Sequence, residues 1–396
     1  MDQSRRTTSA CLVVFSGLLA VLGSIGFARF GYSMILPGMK DGLSLTYTQM
    51  GFMASGNLIG YMISAIIGGV LAARYGPRAV IASSLLLVGM SMLLTSLVEN
   101  FPQALLLRSL AGLGSGGANV PAMMLPAAWI SSKSRGLASG VIAAGSGVGL
   151  IATGFLVPRL DETFGIEGWR YSWLVLGVMT LIFALFCVTA IRNVPSKEPL
   201  AKSVRTIGWK LSKIDTLLWK MGVIYSMFGF SYVIYATFFG AYLVKEVGLT
   251  TESSGLMWAL VGGLSIASGP LWGHMSDRFG RRCILATVYF VHSLSFFLFA
   301  SGGGMAALYT SAILFGLTAW STPSIVAALS ADHFGPKAAF SALGLLTLIF
   351  GFGQALGPSA AGYLADLTKT FASVFLLSSS VAALGGFLSI KILGKS

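Results

Sequence analysis

Long apolar runs separated by short polar loops organise the whole chain. Twelve such runs stand out, near 11–37, 47–72, 79–97, 102–129, 136–158, 171–191, 217–243, 253–275, 283–301, 305–330, 338–364 and 371–391. Each is long enough for a helix to cross a hydrocarbon core that needs roughly 20 apolar residues. The first run carries Arg29 and has no clean small-residue cleavage site after a short apolar core, so it reads as a span and not as a cleaved leader. The pattern predicts an all-α membrane protein with twelve transmembrane helices.

The runs repeat. At a constant offset of 204 residues Gly51 matches Gly255, Gly76 matches Gly280, Arg78 matches Arg282, Gly112 matches Gly316, Gly147 matches Gly351 and Gly149 matches Gly353. Six spans followed by six in parallel orientation is a transporter plan in which two halves rock about a midplane site. The only long polar connection, 193–215, holds Pro195, Pro199 and a basic run. The expected organisation is therefore a six-helix bundle over 1–192, a cytoplasmic linker over 193–215 and a second six-helix bundle over 216–396. Glycines at small-xxx-small spacing, Gly112 to Gly116 among them, suit close helix packing in lipid.

Composition agrees with that solvent. The chain of 396 residues is 55% hydrophobic and 10% charged, with a mean hydropathy of +0.82, whereas a soluble domain carries about 25% charged residues. The net charge of +13 is spread over short loops and forms no patch, which excludes nucleic acid as a partner. With the N-terminus inside, 19 Lys and Arg fall on cytoplasmic loops and 5 on outer ones, so both termini are expected in the cytoplasm. The three cysteines lie in or at the ends of spans and read as packing residues. No nucleophile–base pair and no metal-ligand cluster is apparent, so neither an enzyme nor a cofactor is expected. The expected partners are a small-molecule substrate and the lipid bilayer, with the protein as a monomer.

The two remaining bases change the picture. Arg29 and Arg108 sit inside apolar runs, and no Asp or Glu does. An ionisable group in hydrocarbon is retained where it faces a partner or a water-filled cavity. Both are cations, which points to a cavity that attracts anions.

Three motifs carry a resemblance. Gly273-His-Met-Ser-Asp277-Arg278-Phe-Gly280-Arg281-Arg282, between spans 8 and 9, resembles the loop signature of the major facilitator superfamily. The first half has Gly69, Arg74, Gly76 and Arg78 at the corresponding places but Ala73 where the acid belongs. Arg108-Ser-Leu-Ala-Gly112-Leu-Gly114-Ser-Gly116 resembles the element that opens span 4, and Gly168-Trp169-Arg170 the outer start of span 6. Gly26-Phe-Ala-Arg29-Phe-Gly-Tyr32 with Leu36-Pro37 is similar to the first helix of YbfB/YjiJ-like bacterial members. Span 5 lacks the Gly-Pro of drug–proton antiporters; Gly357-Pro358 lies in span 11 instead.

The resemblance implies that spans 1, 4, 7 and 10 line the cavity. Arg29 lies about 12 Å below the outer boundary by helical rise, with Tyr32 expected one turn away on the same face. Asn57, Arg108 and Asn119 are expected to orient or gate. Span 7 sets Tyr232 against Arg29 and Tyr235 against Tyr32, within an aromatic stripe; Trp320 and Gln354 extend the candidate set. Arg74, Gly76, Arg78, Asp277, Arg278, Gly280 and Arg281 are the candidate gating residues, with Asp277 expected to meet the start of span 5 near Arg135. The reading is a secondary transporter of a small organic anion, a carboxylate above all. The alternative is a proton-linked efflux or neutral-solute transporter with structural arginines. A receptor or lipid scramblase on the same fold is a more distant alternative.

Overall fold

A computed structural model describes the backbone of residues 3–131, 134–191 and 216–392, with the side chains of 3–9, 336–341 and 392 excepted. The expected linker over 193–215 lies outside the described residues. All regular structure among the described residues is helical.

The first run becomes α1 (Gln3–Val21), a π-helical segment (Leu22–Phe30) and α2 (Gly31–Gly42). Then follow α3 (Tyr47–Tyr75), α4 (Pro77–Thr95), α5 (Phe101–Trp129), α6 (Arg135–Phe164) and α7 (Gly168–Ala190), the last two joined by a single 3-10 turn. After the linker come α8 (Thr216–Lys245), α9 (Thr251–Phe279), α10 (Arg281–Ala300), α11 (Gly304–Thr318), α12 (Ser321–Thr368) and α13 (Ala372–Ile392). Within α12, Gly335 has φ 73° and ψ 162°, so the stretch is two helices meeting at a kink.

Local chemistry sets several boundaries. The Asn100 side chain accepts from Gln103 N at 3.1 Å and Thr250 Oγ1 from Ser253 N at 3.1 Å, each capping a helix start. Gly76 (φ 86°) separates α3 from α4, and Gly280 (φ 90°) separates α9 from α10. Both need a left-handed backbone that glycine adopts at least strain, which accounts for their shared place in the two loop motifs.

Ten stretches, not twelve, are long and apolar enough to cross a membrane among the described residues. The α5 helix falls outside this set; Gln103, Arg108 and Asn119 dilute its apolar character. The α6 and α7 helices count as one stretch, Arg135–Ala190, because the short turn joins them. The helical spans also run further than the apolar pattern suggested. Asp332 and Asp366, expected beyond span ends, both lie on α12 and within candidate spans.

The contacts divide the chain into two compact units: Met1–Leu45 with Gly56–Gly208, and Thr46–Ser55 with Trp209–Ser396. The segment Thr46–Ser55 at the start of α3 groups with the second unit. In the first unit α4 packs closely on α5 and α7; in the second, α12 packs on α8 and α10 on α13. The repeat shows in one crossing. A Cβ on Gly112 would collide with Asn57 O, and one on Gly316 would lie 3.1 Å from Val261 O. Both partners and both glycines are related by the same 204-residue shift. Large apolar side chains such as Ile63, Ile66, Leu97, Ile182 and Phe387 remain exposed, as suits surfaces solvated by lipid.

Candidate substrate site

In the first unit the α3–α5 crossing brings the polar groups together. Gly112 lets α5 approach the α3 backbone at Asn57, and Gly116 does the same at Tyr61, whose carbonyl oxygen any added Cβ would strike. Asn119, one turn on, then reaches α3: its Nδ2 donates to Tyr61 Oη at 2.9 Å. The Arg29 guanidinium lies over the Tyr61 ring, 4.1 Å from its centre. Arg29 Nε and Nη2 are closed to solvent and have no hydrogen-bond partner. Leaving a buried donor unmet costs about 1–3 kcal/mol, more when it is charged.

Arg108 is placed differently. It is 1% exposed, its Nη1 donates to Ala28 O, and its guanidinium sits 4.5 Å from the Tyr32 ring centre and 4.9 Å from that of Trp173. Asn57 Nδ2 donates to Arg108 O at 3.0 Å. Arg108, Tyr32 and Asn57 thus contact one another and the Ala28 backbone, while Arg108 Nε and Asn57 Oδ1 are buried without a partner. Between Arg29, which lies over Tyr61, and Tyr32, which lies under Arg108, the π-helical segment ends at Phe30. Its wider turn (i to i+5 bonding) breaks the i, i+3 register. Tyr61 was missed by sequence reasoning; its spacing of four residues from Asn57 on one helix face was the available signal.

In the second unit α8 presents its aromatic stripe to α12 and α10. Tyr225 stacks on Phe350 at 4.3 Å and Phe228 on Tyr232 at 4.7 Å. Gln354 Nε2 donates to Tyr232 Oη, and Trp320 meets the Tyr232 ring edge-on at 6.1 Å. These three candidates are brought together. Tyr235 is not with them: it is fully buried, its hydroxyl 2.9 Å from Ser311 Oγ, among Phe296, Phe299, Phe315 and Phe375. It is a core residue of this unit. His292 is buried as well, its Nε2 3.1 Å from Thr318 Oγ1.

The loop residues form a network on the second unit. Arg281 Nη1 pairs with Asp277 and also donates to Ser276 Oγ at 2.8 Å. Arg281 Nε donates to Asp332 Oδ2 at 3.0 Å. Arg282 Nη2 donates to Ile390 O. Arg135, the expected partner of Asp277, donates its Nε to Ile130 O at 3.0 Å within the first unit. Arg74 lies over Tyr75 at 5.2 Å and Arg278 over Phe279 at 5.4 Å.

Residues 21–390 match the family described as the uncharacterised MFS-type transporter YbfB. Among curated relatives, the hexuronate transporter of Bacillus subtilis is 25% identical, over 97% of this chain and 95% of that protein. The probable sulfoacetate transporter of Cupriavidus necator is 24% identical, over 95% and 92%. The 4-hydroxybenzoate transporter of Pseudomonas aeruginosa is 28% identical, over 44% and 38%. Among solved structures, the fold superposes on a bacterial homologue of the human lysosomal transporter Spinster with a TM-score of 0.78 at 16% identity, covering 99% of each chain. It superposes on a D-xylose–proton symporter with a TM-score of 0.74 at 17% identity, covering 96% and 97%. The chain belongs to the YbfB-type family of the major facilitator superfamily: it is a multi-pass membrane transporter and not an enzyme.

Proposed function

We propose that this YbfB-type transporter is a secondary carrier of small organic anions, with a carboxylate as the recognised group. In this reading twelve membrane helices form two six-helix bundles in a bacterial cytoplasmic membrane, with both termini on the cytoplasmic side. The observation that carries it is Arg29: a guanidinium in an apolar helix, stacked on Tyr61, with Nε and Nη2 unmet. A charged donor pair in that position is matched by a ligand that brings two oxygens. Both atoms are shut off from solvent, so the anion reaches them when neighbouring side chains part, as alternating access requires.

The relatives support this choice, since hexuronate, sulfoacetate and 4-hydroxybenzoate, the substrates in their names, are all organic acids. Asn119 belongs to the site through Tyr61, and Tyr232, Gln354 and Trp320 are assigned to substrate on the second unit. Arg108, Tyr32, Asn57 and Tyr235 are assigned to packing. Asp277, Arg281 and the glycines Gly76 and Gly280, with Arg74, Arg78 and Arg278, are assigned to the cytoplasmic ends that open and close.

The test is a melting-temperature screen of purified protein with D-glucuronate, sulfoacetate and 4-hydroxybenzoate, since a ligand of the folded state raises the midpoint. At least one acid is expected to stabilise the wild type. Arg29→Ala is expected to abolish that shift, and Arg29→Lys to lose most of it because an ammonium lacks the two-pronged geometry. An undiminished shift in Arg29→Ala would overturn the anion reading.

A further inference from the structure

The orientation of Arg29 is built by two other side chains. A guanidinium has two faces and a set of N–H edges. Nε and Nη2 direct their N–H bonds from one common edge, the side-on fork that pairs with two oxygens of one carboxylate. That edge is the one left without partners. One face is covered by the Tyr61 ring at 4.1 Å. The far end of the ring is held in place, because its hydroxyl accepts from Asn119 Nδ2 at 2.9 Å. Asn119 is held in turn by α5, which crosses α3 closely at Gly112 and Gly116.

We propose that Tyr61, anchored by Asn119, is the positioning residue of the anion site and aims the Nε–Nη2 edge of Arg29 at a single carboxylate. The inference rests on the anion reading and deepens it. Among the described residues the first unit offers one such buried, unmet fork. The other buried guanidinium, Arg108, is engaged by Ala28 O, enclosed by Tyr32 and Trp173, and leaves Nε alone unmet, a single donor and not a fork. The substrate class on this unit is therefore a monocarboxylate whose remaining polar groups are uncharged, such as a sugar acid or a hydroxylated aromatic acid.

The experiment measures binding of 4-hydroxybenzoate and D-glucuronate, and of 4-hydroxybenzamide as the uncharged control, to purified wild type, Tyr61→Leu, Tyr61→Phe and Asn119→Leu. Tyr61→Leu removes the stacking ring and is expected to weaken acid binding about tenfold, which corresponds to about 1.4 kcal/mol, and to collapse the preference for acid over amide. Tyr61→Phe and Asn119→Leu keep the bulk but free the ring, and are each expected to weaken acid binding about threefold, within the range of one lost hydrogen bond. A purely structural role for Tyr61 would lower the melting temperature while leaving the acid-to-amide ratio at the wild-type value, and that ratio unchanged in Tyr61→Leu overturns the proposal. Should Tyr61→Leu fail to fold, wild-type acid affinity in both Tyr61→Phe and Asn119→Leu overturns it equally. Loss of binding in Arg29→Ala together with wild-type behaviour of the Tyr61 variants sinks only the positioning role. Wild-type acid binding in Arg29→Ala, or no acid binding by the wild type, sinks the anion reading with it.

Discussion

At the scale of single residues, two arginines in the same solvent are satisfied to different degrees. Arg29 gains a cation–π contact worth roughly 0.5–2 kcal/mol and leaves two buried donors unmet, at about 1–3 kcal/mol each. Arg108 gains two aromatic contacts and a charged hydrogen bond to Ala28 O, and leaves one buried donor, Nε, unmet. Arg29→Ala is therefore expected to melt at or above the wild-type temperature, and Arg108→Ala to melt below it, with a loss of about 3 kcal/mol from the vacated space and the broken bond. Thermal unfolding of the two variants in detergent checks this, and a lower midpoint for Arg29→Ala than for Arg108→Ala would contradict it. The presence of both charges was legible, because a cation in an apolar run is visible in the letters. Their division of labour was not, because it depends on which aromatic ring each one meets, and Tyr61 lies on another helix. The aromatic stripe of α8 was legible in the same limited way: spacing gave the face, but not that Tyr235 turns toward Ser311 while Tyr232 turns toward Gln354.

Helices are the next scale, and their starts show how far local sequence reaches. Asn100 and Thr250 cap their own helices three residues on, a pattern that can be read directly. Two other starts are capped from far along the chain. Asp366 accepts from Tyr47 N at 3.1 Å and Thr48 N at 2.8 Å, at the beginning of α3. Glu246, just beyond α8, accepts from Phe371 N at 2.7 Å and Thr370 Oγ1 at 2.8 Å, at the beginning of α13. Burial lifts the Glu246 carboxyl above its ordinary range, and those two hydrogen bonds pull it back only in part. A carboxyl raised by folding favours the folded state while it is protonated. Its contribution is thus complete below the ordinary carboxylate range and is lost as the pH climbs through the raised value. Glu246→Gln, neutral throughout, is expected to remove that decline, so that the difference in melting temperature between variant and wild type shifts in favour of the variant as the pH climbs above the ordinary carboxylate range. Parallel melting curves across that climb would refute it. The π-helical segment before Gly31 is likewise absent from any periodicity count, since one widened turn alters facing without altering composition.

For the whole molecule, the repeat was the most legible feature, and the Gly112–Asn57 and Gly316–Val261 crossings embody it. The charges at the loop ends repeat only in part, in the pairs Arg74–Arg278 and Arg78–Arg282. Asp277, Arg281 and Asp332 make a connected network, while the positions 204 residues earlier are Ala73, Pro77 and Ala128. The missing acid at Ala73 was readable; the third member, Asp332, was not, because it joins from a different helix. The division of α3 was unreadable for a similar reason. Its first turns, with Ser55 bonded to Ser359 Oγ at 2.7 Å and Thr48 to Asp366, belong to the second unit. A fragment spanning 216–396 is therefore expected to be proteolytically labile in membranes when expressed alone, and to be protected by co-expression of residues 1–192; equal protease resistance with and without the other piece would count against this. The same arrangement orders events on the ribosome. Residues 46–55 emerge more than 300 residues before Asp366, an interval of about 15–60 s at roughly 5–20 residues per second. For that time the opening amides of α3 have no acid to receive them, so biogenesis must hold this helix start in a wet or chaperoned setting until the penultimate span arrives.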